Sequence, residues 1–468
     1  MEERKKTDNL SLQSDATLDV DDTASYPPVL EIAPFPTLAS LNEITTTLSR
    51  RSQHATKGMN DHSDLKGSGM ESGAKVEDDT FLEPLDEGWK SKGWLVVLST
   101  FLVNFSVFGY CFCWGNFQKL YLQPDVYGTE TSAFKIAFVG TSASACMMSL
   151  GLFISPVIMR LGYRRTMCIG TVVAPLGLIL ASFATQLWHI YLSQGILFGL
   201  GATFVFSPSI GLPSQWFVKR RAFATGIAVS GSGIGGVCLS PMSQQLIEHL
   251  GYRNALRVLG ATMFGLLCIS TALAMSRFKP SPSGRPWYAL VDRSLLGTQF
   301  NLLFLFSLLV PFGYIAPFFL MPTYAASIGV DSTNGAALVS IMSATNAICR
   351  IVLGYLGDRF GRLNIMFFST FLSAYAILFG LSGGAFVSMI PSVTADIVGI
   401  ANIQTGLGMS YAATTIGNLM GTPISGLLQT QYGWTAAIQW CGAITMSASV
   451  VALVLRMVRA DYKLYAKV

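Results

Sequence analysis

From Trp94 onward the chain repeats one pattern, in which apolar runs of roughly 20 residues are separated by short loops that carry Lys and Arg. A run of that length crosses ~30 Å of hydrocarbon as a helix. Helix is also the form in which a single segment satisfies its own backbone groups in lipid. The runs fall near 94–116, 136–158, 167–187, 190–212, 222–246, 255–276, 297–320, 335–357, 363–395, 405–428 and 434–455. With 51% hydrophobic and 12% charged residues over 468 positions, no soluble class accommodates the chain. The fold class expected is an all-α membrane protein.

Charge divides the chain in two. Residues 1–93 hold 10 Lys/Arg against 18 Asp/Glu and no apolar run, and read as a disordered tail. The remainder holds 21 against 8, and its basic residues alternate from loop to loop. One set of loops, with the C-terminus, holds Arg160, Arg164, Arg165, Lys219, Arg220, Arg221, Arg277, Lys279, Arg285, Arg293, Arg359, Arg362, Arg456, Arg459, Lys463 and Lys467. The intervening set holds only Lys119, Lys135, Arg253 and Arg257. Lys and Arg are retained on the cytosolic side, so both termini are expected inside and the number of spans even. The organisation expected is a cytosolic tail 1–93, a helical half 94–276, a cytosolic linker 277–296, a second half 297–456 and a cytosolic end 457–468. With no targeting peptide in view, the cell membrane is the expected compartment.

All eight cysteines lie inside apolar runs, where they read as packing residues. Cys111 and Cys113 are too close together and too apolar for a zinc site. The N-x-S sequons at Asn9 and Asn104 fall in the tail and in a span, and neither suits a glycan. No nucleotide loop, metal cluster or nucleophile with a nearby base is present, so neither an enzyme nor a cofactor or nucleic-acid partner is expected.

The chain also repeats itself. LIEHLGYRNALRVLGA (from Leu246) aligns with LQTQYGWTAAIQWCGA (from Leu428) at an offset of 182, pairing Gly226 with Gly408, Gly235 with Gly417, Gly251 with Gly433 and Gly260 with Gly442. Upstream, RLG at Arg160 matches RFG at Arg359 at an offset of 199, and FGLG at Phe198 matches FGLS at Phe379 at 181. Gly162 and Phe198 are 36 positions apart, their partners Gly361 and Phe379 only 18. The second half therefore lacks most of one span. A twelve-helix plan with a truncated ninth helix, giving 11–12 spans, is the expectation.

GYLGDRFGR (354–362) resembles the loop signature of the major facilitator superfamily, found between the second and third helices of each half. WFVKRRAFATGIAVSGSGIGG (216–236) resembles the fifth-helix signature of the monocarboxylate transporter family, and EGWKSKGW (87–94) part of the opening before its first helix. The likeness covers about 86–468 and is best to fungal-type members with long tails. It implies two six-helix bundles around a central cavity. It also implies a gate of Asp358, Arg359, Gly361 and Arg362 with Lys219 and Arg220 at the cytosolic end, where a purely topogenic basic loop is the alternative. The first-half counterpart of Asp358 is Met159.

A charge at the bilayer centre costs roughly 2.5–3.5 kcal/mol even on lenient scales, so a deep ionisable residue is a functional candidate. Arg350 is one, eight residues or about 12 Å of helix inside Asp358. Its planar fork suits a carboxylate, and the resemblance implies a substrate-linked Arg in this eighth helix. The alternative is a structural Arg paired with carbonyls. Asn346, one turn earlier, is placed to hold Arg350 or touch substrate. Asn104, Tyr110, Trp114 and Tyr314 are the other substrate-contact candidates, with interhelical hydrogen bonding as their alternative role. Pro311, Pro317 and Pro322 are expected to interrupt the seventh helix.

Two departures bear on mechanism. The family's acidic residue four before the Arg is Asn346, and its first-helix Lys is replaced by Trp114. Asp396 and His189 sit near span ends, so proton symport and facilitated diffusion both stay open. The resemblance implies a secondary transporter of a small organic anion, with protons as a possible co-substrate and the bilayer as partner. Efflux of a fungal secondary metabolite and a transport-dead nutrient sensor are the alternatives.

Overall fold

The computed structural model describes residues 88–121, 123, 133–277, 292–329, 332–374, 384–463 and 466–467. The tail up to residue 87, most of the linker (278–291) and the Phe379 repeat match lie outside the described residues. The described segments are helical, with no strand among them.

Helix α1 (Gly93–Tyr121) is followed by α2 (Ala133–Ser149) and α3 (Gly151–Leu161), an apolar pair bent by 48° where they meet. Then come α4 (Tyr163–Ala181) and α5 (Leu187–Trp216). A continuous stretch Arg221–Leu273 breaks at Gly251 (φ 76°, ψ 157°), giving α6 (221–250) and α7 (252–273). The second half contains α8 (Thr298–Ser327), α9 (Ser332–Phe360), α10 (Arg362–Ser373), α11 (Ala385–Val398), α12 (Ile403–Tyr432) and α13 (Trp434–Arg459).

Matched contacts reveal the repeat in three dimensions. Gly226 of α6 lies against the Arg350 carbonyl of α9, and its partner Gly408 of α12 lies against the Gly151 carbonyl where α2 meets α3. Arg350 and Gly151 are themselves partners at the 199 offset. Gly235 packs on Phe105 and Gly109 of α1, as Gly417 packs on Pro311 and Phe312 of α8. Gly260 packs on Pro175 and Ile179 of α4, as Gly442 packs on Ala374 at the end of α10. In each case the missing side chain lets two backbones meet, which is the main source of helix association where lipid is as apolar as the helices themselves. The turns match too. Gly162 (φ 83°) and Gly361 (φ 107°) join one helix pair in each half, and Gly251 and Gly433 (φ 76° and 86°) another. Positive φ strains any residue with a Cβ, which explains glycine at all four turns.

The two halves meet along α6–α9 and along α2/α3–α12. Small residues carry both seams, with Gly233 against Ser343 and Ala347 on the first and Gly408 against Gly151 on the second.

The ninth helix is short where it is described, and one expectation changes. Helix α10 has 12 residues and α11 has 14, about 18 and 21 Å of helix against ~30 Å of hydrocarbon. Residues 375–383, between α10 and α11, lie outside the described residues, and the gap in the second half falls on that side of α10. The prolines do not interrupt the seventh helix: α8 is continuous through Pro311 and Pro317, while Pro322 lies in its last turns. One proline removes a single backbone hydrogen bond, and packing of α8 on α12 and α13 holds the helix through it. The sharp bend occurs instead at Leu150, between α2 and α3.

Gly201 offers a direct check on backbone-to-backbone packing. A Cβ there would stand 2.6 Å from the Ala174 Cα and 2.7 Å from the Val173 carbonyl carbon, whereas Gly265 has nothing within 4 Å. Gly201→Leu is expected to abolish the monodisperse peak in detergent size exclusion, and Gly265→Leu to leave it at wild-type height.

Candidate functional site: a buried arginine and an ionic gate

At the end that bears the basic loops, called the basic end below, the halves are joined by a compact ion network. Asp358 lies in the last turn of α9 and accepts the first free amides of α6, from Ala222 (3.1 Å) and Phe223 (2.8 Å). A carboxylate on a helix N-terminus satisfies orphan N–H donors and the positive dipole end together. Arg362, one turn on across the Gly361 corner, donates to Asp358 (2.9 Å), to the Val218 carbonyl (2.7 Å) and to Asp396 of α11 (2.7 Å). Arg221 at the start of α6 donates to the same Asp396 at 2.6 Å, and Arg459 donates to its backbone carbonyl at 3.0 Å. Asp358, Arg362 and Asp396 of one half thus hold Arg221, Ala222 and Phe223 of the other.

Three of the expected gate residues stand apart. Lys219 and Arg220 are exposed, with Arg220 lying 5.5 Å from the centre of the Trp89 ring, and Arg221 is the cation that crosses to the other half. Arg359 is exposed beside the ring of Phe360, since a step of one residue turns it about 100° from Asp358 around the helix. Asp396 does not reach the centre of the protein; two arginines hold it at the basic end. His189 is half-buried at the start of α5, where its Nδ1 accepts from the Thr185 amide.

Arg350 occupies the centre of α9 and is 4% exposed. Its Nη1 donates to the Val229 carbonyl (2.8 Å) and to the Ser232 hydroxyl of α6, in the other half. Its Nη2 donates to the Tyr314 hydroxyl of α8 at 3.0 Å. Its Nε–H has no partner, and among the described residues no carboxylate pairs with it. Four residues away, the Asn346 amide lies against Gly384 at the entrance to α11; it does not bond to Arg350 and its Nδ2 is unpaired. Tyr411 of α12 is buried, with its hydroxyl unpaired and within electrostatic reach of Arg350.

The three first-helix candidates do not join this group. Asn104 donates to the Thr100 carbonyl of its own helix (2.8 Å). The Tyr110 hydroxyl accepts from Gln194 (2.8 Å), which in turn accepts from Tyr121 (3.2 Å). Trp114 packs on Gly140 and on the ring of Tyr121. At about 100° per residue Tyr110 and Trp114 share one side of α1, turned into their own half, and Phe108 and Phe112 share another, with Asn104 between the two. Tyr314 alone among the tyrosines expected at the site reaches Arg350. Ser232, Tyr411, Arg221 and Asp396 join the two clusters without a local sequence signal stronger than small-residue patterning and loop charge.

A family model described as Major Facilitator Superfamily matches residues 96–379. The chain belongs to the major facilitator superfamily. Relatives include the MFS-type transporter pynF of Aspergillus niger, 30% identical over 394 residues, 79% of this chain and 89% of that one. Monocarboxylate transporter 13 of Rattus norvegicus is 30% identical over 394 residues, covering 80% and 90%. Among solved structures, the human organic anion transporter MFSD10 (TETRAN) shares the fold at a TM-score of 0.57 and 13% identity, over 77% of this chain and 97% of that one. This member of the superfamily is accordingly a multi-pass membrane transporter, and its relatives are transporters rather than enzymes.

Proposed function

We propose that the protein carries a small organic anion of the monocarboxylate type across the cell membrane by alternating access, with Arg350 as the anion anchor and the Asp358–Arg362–Asp396–Arg221 network as the gate on the cytosolic side. The observation that carries this reading is the buried guanidinium of Arg350 with no carboxylate partner among the described residues. A buried charge is strongly unfavourable unless paired and fully hydrogen-bonded. A carboxylate ligand would supply both the countercharge and an acceptor for the free Nε–H. Arg350 also bonds across the halves to Val229 and Ser232, so rocking of one half against the other remakes its contacts. In the proposed arrangement the halves are 94–276 and 297–456, with the linker 277–296 and both termini in the cytosol. Asn346 and Tyr314 are proposed as substrate neighbours, and Asn104, Tyr110 and Trp114 as packing residues.

The monocarboxylate transporter among the relatives supports the substrate class. Among the described residues no Asp, Glu or His bonds to Arg350 or Asn346, which supports uniport, with any pH effect set by titration of the substrate itself. The test is uptake and counterflow of a radiolabelled monocarboxylate panel in proteoliposomes, with and without a pH gradient. Saturable, trans-stimulated flux of acids but not of their amides is expected. Equal handling of acid and amide would overturn the anion reading, and uphill accumulation of a fully ionised acid driven by the pH gradient would overturn uniport.

A further inference from the structure

Two chains of ring contacts start one turn apart on α1 and cross between the halves to Tyr411 and to Tyr314. In the first, Phe108 meets Phe206 of α5 (5.2 Å between centres, 77° between planes), and Phe206 meets Tyr411 of α12 (5.4 Å, 72°). In the second, Phe112 meets Phe318 of α8 (5.8 Å), Phe318 meets Tyr314 (5.5 Å, 62°), and Tyr314 meets Phe386 of α11 (4.8 Å, 84°). Each chain crosses between the halves once, at Phe206–Tyr411 and at Phe112–Phe318. Each carries a phenol: the Tyr314 hydroxyl is bonded to the Arg350 guanidinium, and the Tyr411 hydroxyl, 8% exposed as a residue, has no partner.

Aromatic rings attract one another at centre separations of 4.5–7 Å through the negative face and positive edge of the π-system, a term that a saturated ring of equal size lacks. A flat ring entering between the halves would replace the two cross-half ring contacts with its own. Its carboxylate would meet two donors without partners, the Nε–H of Arg350 and the hydroxyl of Tyr411. An aliphatic acid would meet the same donors but leave the ring edges without a partner.

We propose that the Arg350 site selects planar aromatic carboxylates over saturated ones, with Phe206 and Tyr411 as the residues that set the preference. The proposal rests on Arg350 being the anion anchor, and its test keeps the two ideas apart. Radiolabelled benzoate is bound to purified protein in nanodiscs and displaced by unlabelled benzoate, cyclohexanecarboxylate or butyrate. Benzoate is expected to displace at a concentration about tenfold lower than cyclohexanecarboxylate, the scale of one to two aromatic contacts. In Phe206→Leu the ratio should fall to about threefold or less. Tyr411→Phe keeps the ring and should keep the ratio, while weakening all three acids by about three- to tenfold through loss of one hydrogen bond to a charged group. Equal potency of benzoate and cyclohexanecarboxylate in the wild type, or an undiminished ratio in a folded Phe206→Leu, overturns the aromatic preference. If butyrate binds in the wild type and is lost in Arg350→Gln, the anchor stands whatever the ratio shows. If benzoate binds Arg350→Gln as tightly as the wild type, the anchor fails even with the ratio intact.

Discussion

Replacing Arg350 with glutamine is expected to lower kcat/KM for organic-anion flux by about a hundredfold or more, while the protein stays folded and as heat-stable as the wild type. The magnitude follows from truncating one partner of a buried, hydrogen-bonded charge pair, which costs about 2–5 kcal/mol in binding. The stability half separates anchor from strut. A structural arginine would be missed by the carbonyl and hydroxyls it holds, and each buried acceptor left unsatisfied costs about 1–3 kcal/mol. An anchor waiting for its anion is a buried charge with no carboxylate among the described residues, and its neutral isostere can be equally stable or more so. Arg350→Lys keeps the charge without the fork and should recover only part of the flux. Thermal melts beside counterflow in one proteoliposome series decide the matter: wild-type flux in a folded Arg350→Gln variant would remove the anchor, and a melt lowered by many degrees would make Arg350 a strut.

Asp358→Ala is the second large effect, and it acts on conformation rather than affinity. It strips the acceptor from the Ala222 and Phe223 amides and leaves Arg362 with one carboxylate instead of two. Asp358 is well buried, so its bonds are little screened, and charge-assisted bonds of this kind contribute about 1.5–3 kcal/mol. Asp396 is about a third exposed, so its two ion pairs must be discounted for solvent and salt. The population open at the basic end is therefore expected to rise about 10- to 100-fold in Asp358→Ala and by less in Asp396→Ala. Nitroxide labels at Arg165 and Arg359, on a cysteine-free background, would read this as a longer distance by pulsed electron resonance. An unchanged distance distribution in Asp358→Ala would remove Asp358 from the gate.

The charged network is also one-sided. Asp358 caps α6, but its repeat partner is Met159, and the α12 seam is held by uncharged bonds, Ser155 to Thr405 (3.0 Å) and Gln404 to the Ser207 carbonyl (2.6 Å). The charged seam is therefore the one that titrating a gate residue or raising salt would weaken, while the α12 seam depends on close backbone packing at Gly408 and Gly151.

Much of this architecture was legible before any coordinates. Span length, loop charge and the 182 and 199 offsets are one-dimensional signals, because hydrocarbon thickness and backbone satisfaction act on each segment separately. Arg350 and Asp358 were legible for a related reason: a charge in an apolar run stands out wherever its helix is packed. The glycine pairs were visible as pairs, and the structure added what each one touches.

Packing between helices alone decided the rest. Asn104, Tyr110 and Trp114 have the composition of cavity residues, yet Asn104 bonds within its own helix, Tyr110 and Trp114 are turned into their own half, and it is Phe112 that meets a ring of the other half, Phe318. Arg221 rather than its two basic neighbours bonds to Asp396, because only the third residue of that run falls where α6 begins and faces α11. The missing residues of the second half could be counted from the repeat and placed between Gly361 and Phe379, because both matches are read along the chain. The sequence by itself therefore determined the membrane-spanning class, the twofold plan and the two charged positions that stand out in apolar runs, Arg350 and Asp358, through forces acting on one helix at a time. Tertiary structure decided which side chains meet at Arg350, because the rotation of each helix about its axis is set only by what packs against it.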